Sequence, residues 1–257
     1  MTAQFSLARR LKAGETVHTG WCPLPYPIVA ETLAREGFPA VTIDQQHGLW
    51  DMGATVTGLA SIRHGGAAPI VRIPLGGFAV ASRVLDLGAE GVIAPMINTV
   101  ADARAFVEAA KYPPVGERSW GPARVMTLAG ITDAKEYLRD ANTLTVAIAM
   151  IETQAALDNL DAIAGTDGID VLLVGPSDLS IALTDGKEVE PHSALVEREL
   201  DRVLAAAAKA HKVAGLYCVN ADRAVFAAKR GFRFLAVGSD LAFLRMGAAA
   251  QLKVLKS

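Results

Sequence analysis

The sequence predicts an α/β protein, a single (β/α)8 TIM barrel spanning residues 1–257. Eight short apolar runs alternate with eight helical stretches, and about 250 residues suit one such barrel. The composition is 51% hydrophobic but only 6% aromatic, dominated by Ala, Val, Leu and Ile, which suits parallel strands buried on both faces. No stretch rich in Pro, Gly or Ser marks a domain boundary.

The strand candidates are 18–22, 40–44, 68–73, 91–96, 144–152, 170–175, 214–218 and 234–238. Helices are expected at 27–36, 52–64, 79–88, 100–110, 154–165, 193–211, 221–230 and 241–254, with a short amphipathic helix near the start. The stretch 111–142 reads as a long loop of the kind that often carries function. An open doubly wound sheet is the competing architecture, although it more usually has fewer strands.

Net charge is -2 with both signs interspersed, so no basic stripe supports nucleic-acid binding. No run reaches the roughly 18 apolar residues of a membrane span. The start lacks the apolar core of a signal peptide. Cys22 and Cys218 have neither metal-binding nor redox spacing. A cytoplasmic protein handling small molecules is the expectation, with no nucleic acid and no membrane as partner.

Chemistry on a barrel sits at the C-terminal strand ends. The second strand ends in Asp44, three residues before His47, a spacing at which a carboxylate can orient an imidazole. Arg72 lies among buried residues of the third strand, where it needs a carboxylate partner or an anionic ligand. The fifth strand ends in Glu152, sharing a face with Ile148 and Met150 by alternation. The sixth leads into Gly175, Pro176, Ser177 and Asp178. Glu152 and Asp178 thus end neighbouring strands, where two carboxylates can hold a hard divalent cation; the alternative is that Asp178 caps the next helix. Free N–H groups at that helix start favour a carboxylate or phosphate. Gly238-Ser239-Asp240 after the eighth strand is a weaker phosphate candidate. No lysine ends a strand, which argues against a Schiff-base mechanism. His18, His64, His192 and His211 fall on helices, loops or a strand start and read as structural or solvated.

The combination VTIDQQH, PIVRIP, VLDLGAEGVIAPMINT, YPPVGERSWGPAR, AMIET and LLVGPSDLS resembles the HpcH/HpaI class II pyruvate aldolases over about residues 16–240. The resemblance implies reversible aldol cleavage of 4-hydroxy-2-oxo acids into an aldehyde and pyruvate, or an analogue such as hydroxypyruvate, through a metal-bound enolate. It implies a divalent ion (Mg2+, Mn2+ or Co2+, with Zn2+ also compatible) held by Glu152 and Asp178. His47 matches the catalytic histidine, Asp44 its paired aspartate, and Arg72 the arginine on the substrate's keto oxygen. Asp86 matches an aspartate that reaches a neighbouring subunit's site. The amides of Ser177 and Asp178 match the carboxylate cradle, and Gly175, Pro176, Met150 and Trp21 join the expected substrate-binding set. Arg118, Trp120 and Arg124 of the long loop are expected at the entrance, meeting the aldehyde. A homohexamer, a trimer of dimers exchanging the last helix, is also implied. The sequence departs from the best-known members at Met150, where they carry a glutamine that can donate a hydrogen bond. The alternatives are a citryl- or malyl-CoA-type lyase, whose relatives carry longer C-terminal parts, and a non-catalytic binding barrel.

Overall fold

The computed structural model describes residues 5–256. Eight parallel strands close into a barrel in sequence order: β1 (Val17–Cys22), β2 (Ala40–Asp44), β3 (Ala68–Arg72), β4 (Gly91–Ala94), β5 (Val146–Ile151), β6 (Val171–Val174), β7 (Val213–Cys218) and β8 (Phe234–Val237), with β8 pairing back onto β1. Closure excludes the open doubly wound sheet.

Period-two alternation divides the strand residues between two cores. One face, including Ile70, Ile93, Ile148, Met150, Leu173 and Phe234, fills the barrel interior. The other, including Val41, Val71, Val92, Ala149 and Leu172, packs against the helices outside. The helix α1 (Ser6–Lys12) closes the N-terminal end of the barrel, adding Leu7, Ala8 and Leu11 to the interior core.

The helices between strands follow the sequence pattern closely: α2 (Pro27–Arg35), α3 (Met52–His64), α4 (Phe78–Asp86) and α5 (Val100–Ala110). The stretch 111–142 departs from expectation, because it holds two helices, α6 (Ala123–Ala129) and α7 (Ala134–Leu144). Asp133 caps α7 by accepting from the N–H groups of Lys135 and Glu136. Tyr137 and Ala141, one turn apart, bury one face of α7 with Phe5, Tyr112 and Val125. The Pro- and Gly-containing segment before them masks this periodicity in the sequence. The helix expected at 154–165 breaks at Asn159 into α8 (Gln154–Asp158) and α9 (Leu160–Ala164). The remaining helices are α10 (Pro176–Leu183), α11 (Ala194–Lys209), α12 (Ala221–Arg230) and α13 (Asp240–Leu255). Among the described residues no helix is long and apolar enough to cross a membrane.

Candidate active site

A cavity of about 290 Å³ opens at the C-terminal end of the barrel. Its lining draws on five strand ends: Trp21 and Pro23, Asp44 and His47, Arg72, Met150, and the Gly175–Asp178 turn. Tyr217 and Ser239 complete it from β7 and β8. Of the polar strand ends singled out in the sequence, Asp44, Arg72 and the Gly175–Asp178 turn line this cavity, while Glu152 lies behind its wall against Gly175.

Asp44 and Arg72 occupy partnered positions in the β2–β3 register. Arg72 Nε and Nη2 donate to the two oxygens of Asp44 at 2.9 and 2.7 Å, a bidentate pair. Trp21 Nε1 donates to the same carboxylate at 3.2 Å, and the Trp21 ring lies 4.8 Å from the guanidinium carbon. Burial pushes the Asp44 carboxyl up, but Arg72 and the N–H donors outweigh it and hold it below the ordinary aspartate range. Asp44 consequently carries its negative charge, and Arg72 keeps Nη1 for another acceptor. The sequence pairs Asp44 with the His47 ring; the structure pairs it with Arg72. His47 receives only a backbone contact, its N–H donating to Asp44 at 3.3 Å. Its exposed ring makes no hydrogen bond among the described residues.

Glu152 follows β5 directly and is 2% exposed. Its Oε1 accepts from the Met96 N–H at 2.8 Å. Met96 sits at φ 54, in the left-handed region, so a strained residue supplies this donor. Glu152 Oε2 lies against Gly175, where a Cβ would stand only 2.3 Å from it. A side chain at position 175 would push the Glu152 carboxylate out of this position. Burial, with the nearby Asp178 carboxylate adding to it, pushes the Glu152 carboxyl up to about 7.

Asp178 is the third residue of α10, whose N-cap is Gly175 with no side-chain cap. Its carboxylate bonds to no described residue, so helix capping does not account for it. Pro176 has no N–H, and the Leu179 N–H donates to Gly175 O. The N–H groups of Ser177 and Asp178 remain for a ligand at a helix N-terminus. Among the described residues no third Asp, Glu, His or Cys joins Glu152 and Asp178 in a metal-ligating group. Two oxygen donors, one buried and one exposed, still suit a hard divalent ion that leaves most of its positions to water and substrate.

Other expected site residues fall elsewhere. Arg118 is 4% exposed and donates to Asp86 at 2.5 Å, with its guanidinium over the Tyr112 ring. Trp120 is half exposed, its ring tilted against those of Tyr112 and Tyr137. Arg124 is exposed and reaches Val56 O at 3.5 Å. None of these, nor Asp86, lines the cavity of a single chain. The Gly238-Ser239-Asp240 turn has little left for a phosphate. Its buried Asp240 accepts from Cys22 Sγ, Leu24 N and Leu241 N, and an anion there would face that carboxylate.

Sequence reasoning missed Met96 and Tyr217. No sequence signal marks the unusual backbone of Met96. Tyr217 was within reach, since it is a polar residue near the end of the seventh strand candidate.

A sequence profile of the HpcH/HpaI aldolase/citrate lyase family matches residues 19–246. Over 235 residues the chain is 38% identical to a hydroxypyruvate/pyruvate aldolase from Rhizorhabdus wittichii, covering 91% of this chain and 92% of that one. It is 32% identical over 227 residues to a 5-keto-4-deoxy-D-glucarate aldolase from Klebsiella pneumoniae, covering 88% and 86%. The crystal structure of an HpcH/HpaI aldolase from Desulfitobacterium hafniense superimposes with a TM-score of 0.89 at 27% identity, covering 98% and 96%. With strand ends, cavity and relatives in agreement, the chain belongs to the HpcH/HpaI aldolase/citrate lyase family.

Proposed function

We propose that this protein is a divalent-metal-dependent aldehyde-lyase. It would cleave a 4-hydroxy-2-oxo acid into an aldehyde and a pyruvate-type 2-oxo acid, and join them in reverse. The observation that carries this reading is the buried Glu152 carboxylate, whose Oε2 has no protein donor, beside the unpaired Asp178 carboxylate. Both lie next to the free N–H groups of α10. Resemblance to aldolases acting on pyruvate, hydroxypyruvate and a keto-deoxy sugar acid supports the substrate class.

When bound at Glu152 and Asp178, the cation supplies Lewis-acid stabilisation of negative charge on the keto oxygen. The chain's own residues do the rest. The N–H groups of Ser177 and Asp178 bind the substrate carboxylate. Arg72, fixed by Asp44 and Trp21, directs Nη1 at the keto oxygen, where charge develops as the bond breaks. The His47 imidazole takes the proton of the 4-hydroxyl. The C3–C4 bond then breaks, its electron pair stays with the 2-oxo acid fragment, and the aldehyde leaves. Protonation at C3 completes the cycle. Asp86 reaches, on this reading, a neighbouring subunit's site in a hexamer, the buried Arg118 holds it in place, and the exposed Arg124 stands at the entrance to meet the aldehyde. The exposed apolar side chains of α13, Leu244 and Met246 among them, are consistent with an oligomer.

The test is proton–deuterium exchange of the pyruvate methyl group, followed by NMR on chelator-treated protein with and without magnesium, manganese or cobalt. Metal-dependent exchange is expected. Glu152→Ala and Asp178→Ala should each remove both the exchange and the rise in melting temperature on adding metal. Exchange that survives chelation and both substitutions would sink the cation site.

A further inference from the structure

The metal carboxylates, Arg72 and the α10 amides account for the 2-oxo acid head, but the β7–β8 side of the cavity carries polar groups that this chemistry does not use. Tyr217 reaches the cavity from the end of β7. Its ring stands edge-on to Trp21, with centroids 5.4 Å apart and an interplanar angle of 86°. Its hydroxyl donates to Gly238 O at 3.2 Å. Ring and hydroxyl are thus both held. The phenolic proton is committed to the backbone, so what this cavity-lining residue has left to offer is an acceptor oxygen.

Ser239, the residue after Gly238, also lines the cavity. It is the N-cap of α13, and its Oγ accepts from the Ala242 N–H at 3.2 Å. A hydroxyl that accepts for a cap still has its own proton, and no described residue takes it. Tyr217 and Ser239 therefore offer one acceptor and one donor from neighbouring strand ends.

A ligand group that satisfies both must give a hydrogen and accept one. A carboxylate or carbonyl oxygen has no proton for Tyr217. An ammonium group has no lone pair for Ser239 and would meet the positive Arg72. An alcohol hydroxyl does both. We infer that Tyr217 and Ser239 form a hydroxyl-recognising corner that makes this site select a hydroxylated substrate over its deoxy counterpart. The inference rests on the aldolase reading and deepens it. The same hydroxyl could be on C3 of the 2-oxo acid, as in hydroxypyruvate, or on the aldehyde, as in glycolaldehyde.

Two arms separate these sources. The first compares C3 proton exchange of hydroxypyruvate with that of pyruvate, without aldehyde. The second uses pyruvate as donor and compares glycolaldehyde with acetaldehyde as acceptor. Tyr217→Phe keeps the ring and its contact with Trp21. It should lower the hydroxylated-to-deoxy ratio of kcat/KM about tenfold in one arm, roughly what one well-placed hydrogen bond contributes. The affected arm identifies which hydroxyl is read. Ser239→Ala should move the same ratio in the same direction, with melting temperature recorded because it also removes a helix cap. Ratios unchanged in both arms, or a uniform loss with every substrate, would overturn the corner. Tryptophan fluorescence titrations with pyruvate and hydroxypyruvate read binding without turnover. A wild-type protein that exchanges neither donor would defeat the aldolase reading, while the effect of Tyr217→Phe on those two affinities would still judge the corner.

Discussion

The N-terminal and C-terminal ends of this barrel both bury charge, and they treat it differently. At the N-terminal end Lys111 is 2% exposed, yet its ammonium donates to Asn142 O, Thr145 O and Asp170 Oδ2, all within 2.9 Å. Burial pushes its pKa down, with Asp170 opposing. Glu90, 1% exposed, accepts from the Leu7 N–H and faces Arg63 at 3.2 Å. At the C-terminal end, among the described residues, Glu152 has one protein donor for two oxygens, Asp178 has none, and Arg72 spends two of its donor atoms on Asp44. Saturated partners fix a fold, whereas leftover capacity awaits a ligand. The buried lysine that a Schiff-base mechanism would need is present, but at the wrong end and already paired.

The sharpest way to break the comparison is at Lys111. Lys111→Ala removes a packed stem and strands two carbonyls and Asp170. We expect a loss of about 4 kcal/mol of stability, tempered by the partial exposure of Asp170. Urea unfolding measures it. Specific activity per folded molecule should stay at the wild-type level. A marginal stability change with lost activity would mean that the N-terminal end is not simply structural.

Glu152 supplies the opposite case, a buried charge that costs stability. Its folded-state value of about 7 exceeds the ordinary 4.5. The metal-free folded protein thus holds a proton there that the unfolded chain has released. The stability this contributes is full below pH 4.5 and is lost as pH rises through 7. The difference is worth about 3 kcal/mol. Chelator-treated Glu152→Gln should gain on the wild type across that window and run parallel to it above. Parallel curves throughout would show that Glu152 is not held protonated.

How much of this was legible in the sequence depends on the distance over which each signal acts. Strand ends at Asp44, Glu152 and Gly175 follow from local pattern, and one rule about barrels gathers them at one mouth. The Asp44–Arg72 pair needed the β2–β3 register, since residues 28 apart in sequence choose each other only across a ladder. The nearer His47 was the more obvious partner and the wrong one for the side chain. Helices α6 and α7 were hidden because their buried faces are short and pack with Tyr112 onto Phe5, more than a hundred residues away in the chain. Met96 was illegible because its role depends on a backbone angle that no side chain announces.

The smallest expected effect lies at Met150, where the interior core meets the cavity. Its side chain belongs to the interior core, 3% exposed, and also lines the cavity beside Gly175. It is hydrophobic packing at the edge of a polar site. Met150→Gln keeps the approximate volume and places an amide beside Gly175, where an added Cβ would meet the Met150 methyl at 3.1 Å. An amide donor there could reach a ligand oxygen that a thioether cannot. Such indirect tuning usually shifts metal affinity or activity by about 10-fold or somewhat more. We therefore expect the reaction type to persist while the preference among magnesium, manganese and cobalt changes, read as the metal dependence of pyruvate methyl exchange. An unchanged metal profile, with only a lower melting temperature from the buried amide, would assign Met150 to the core alone.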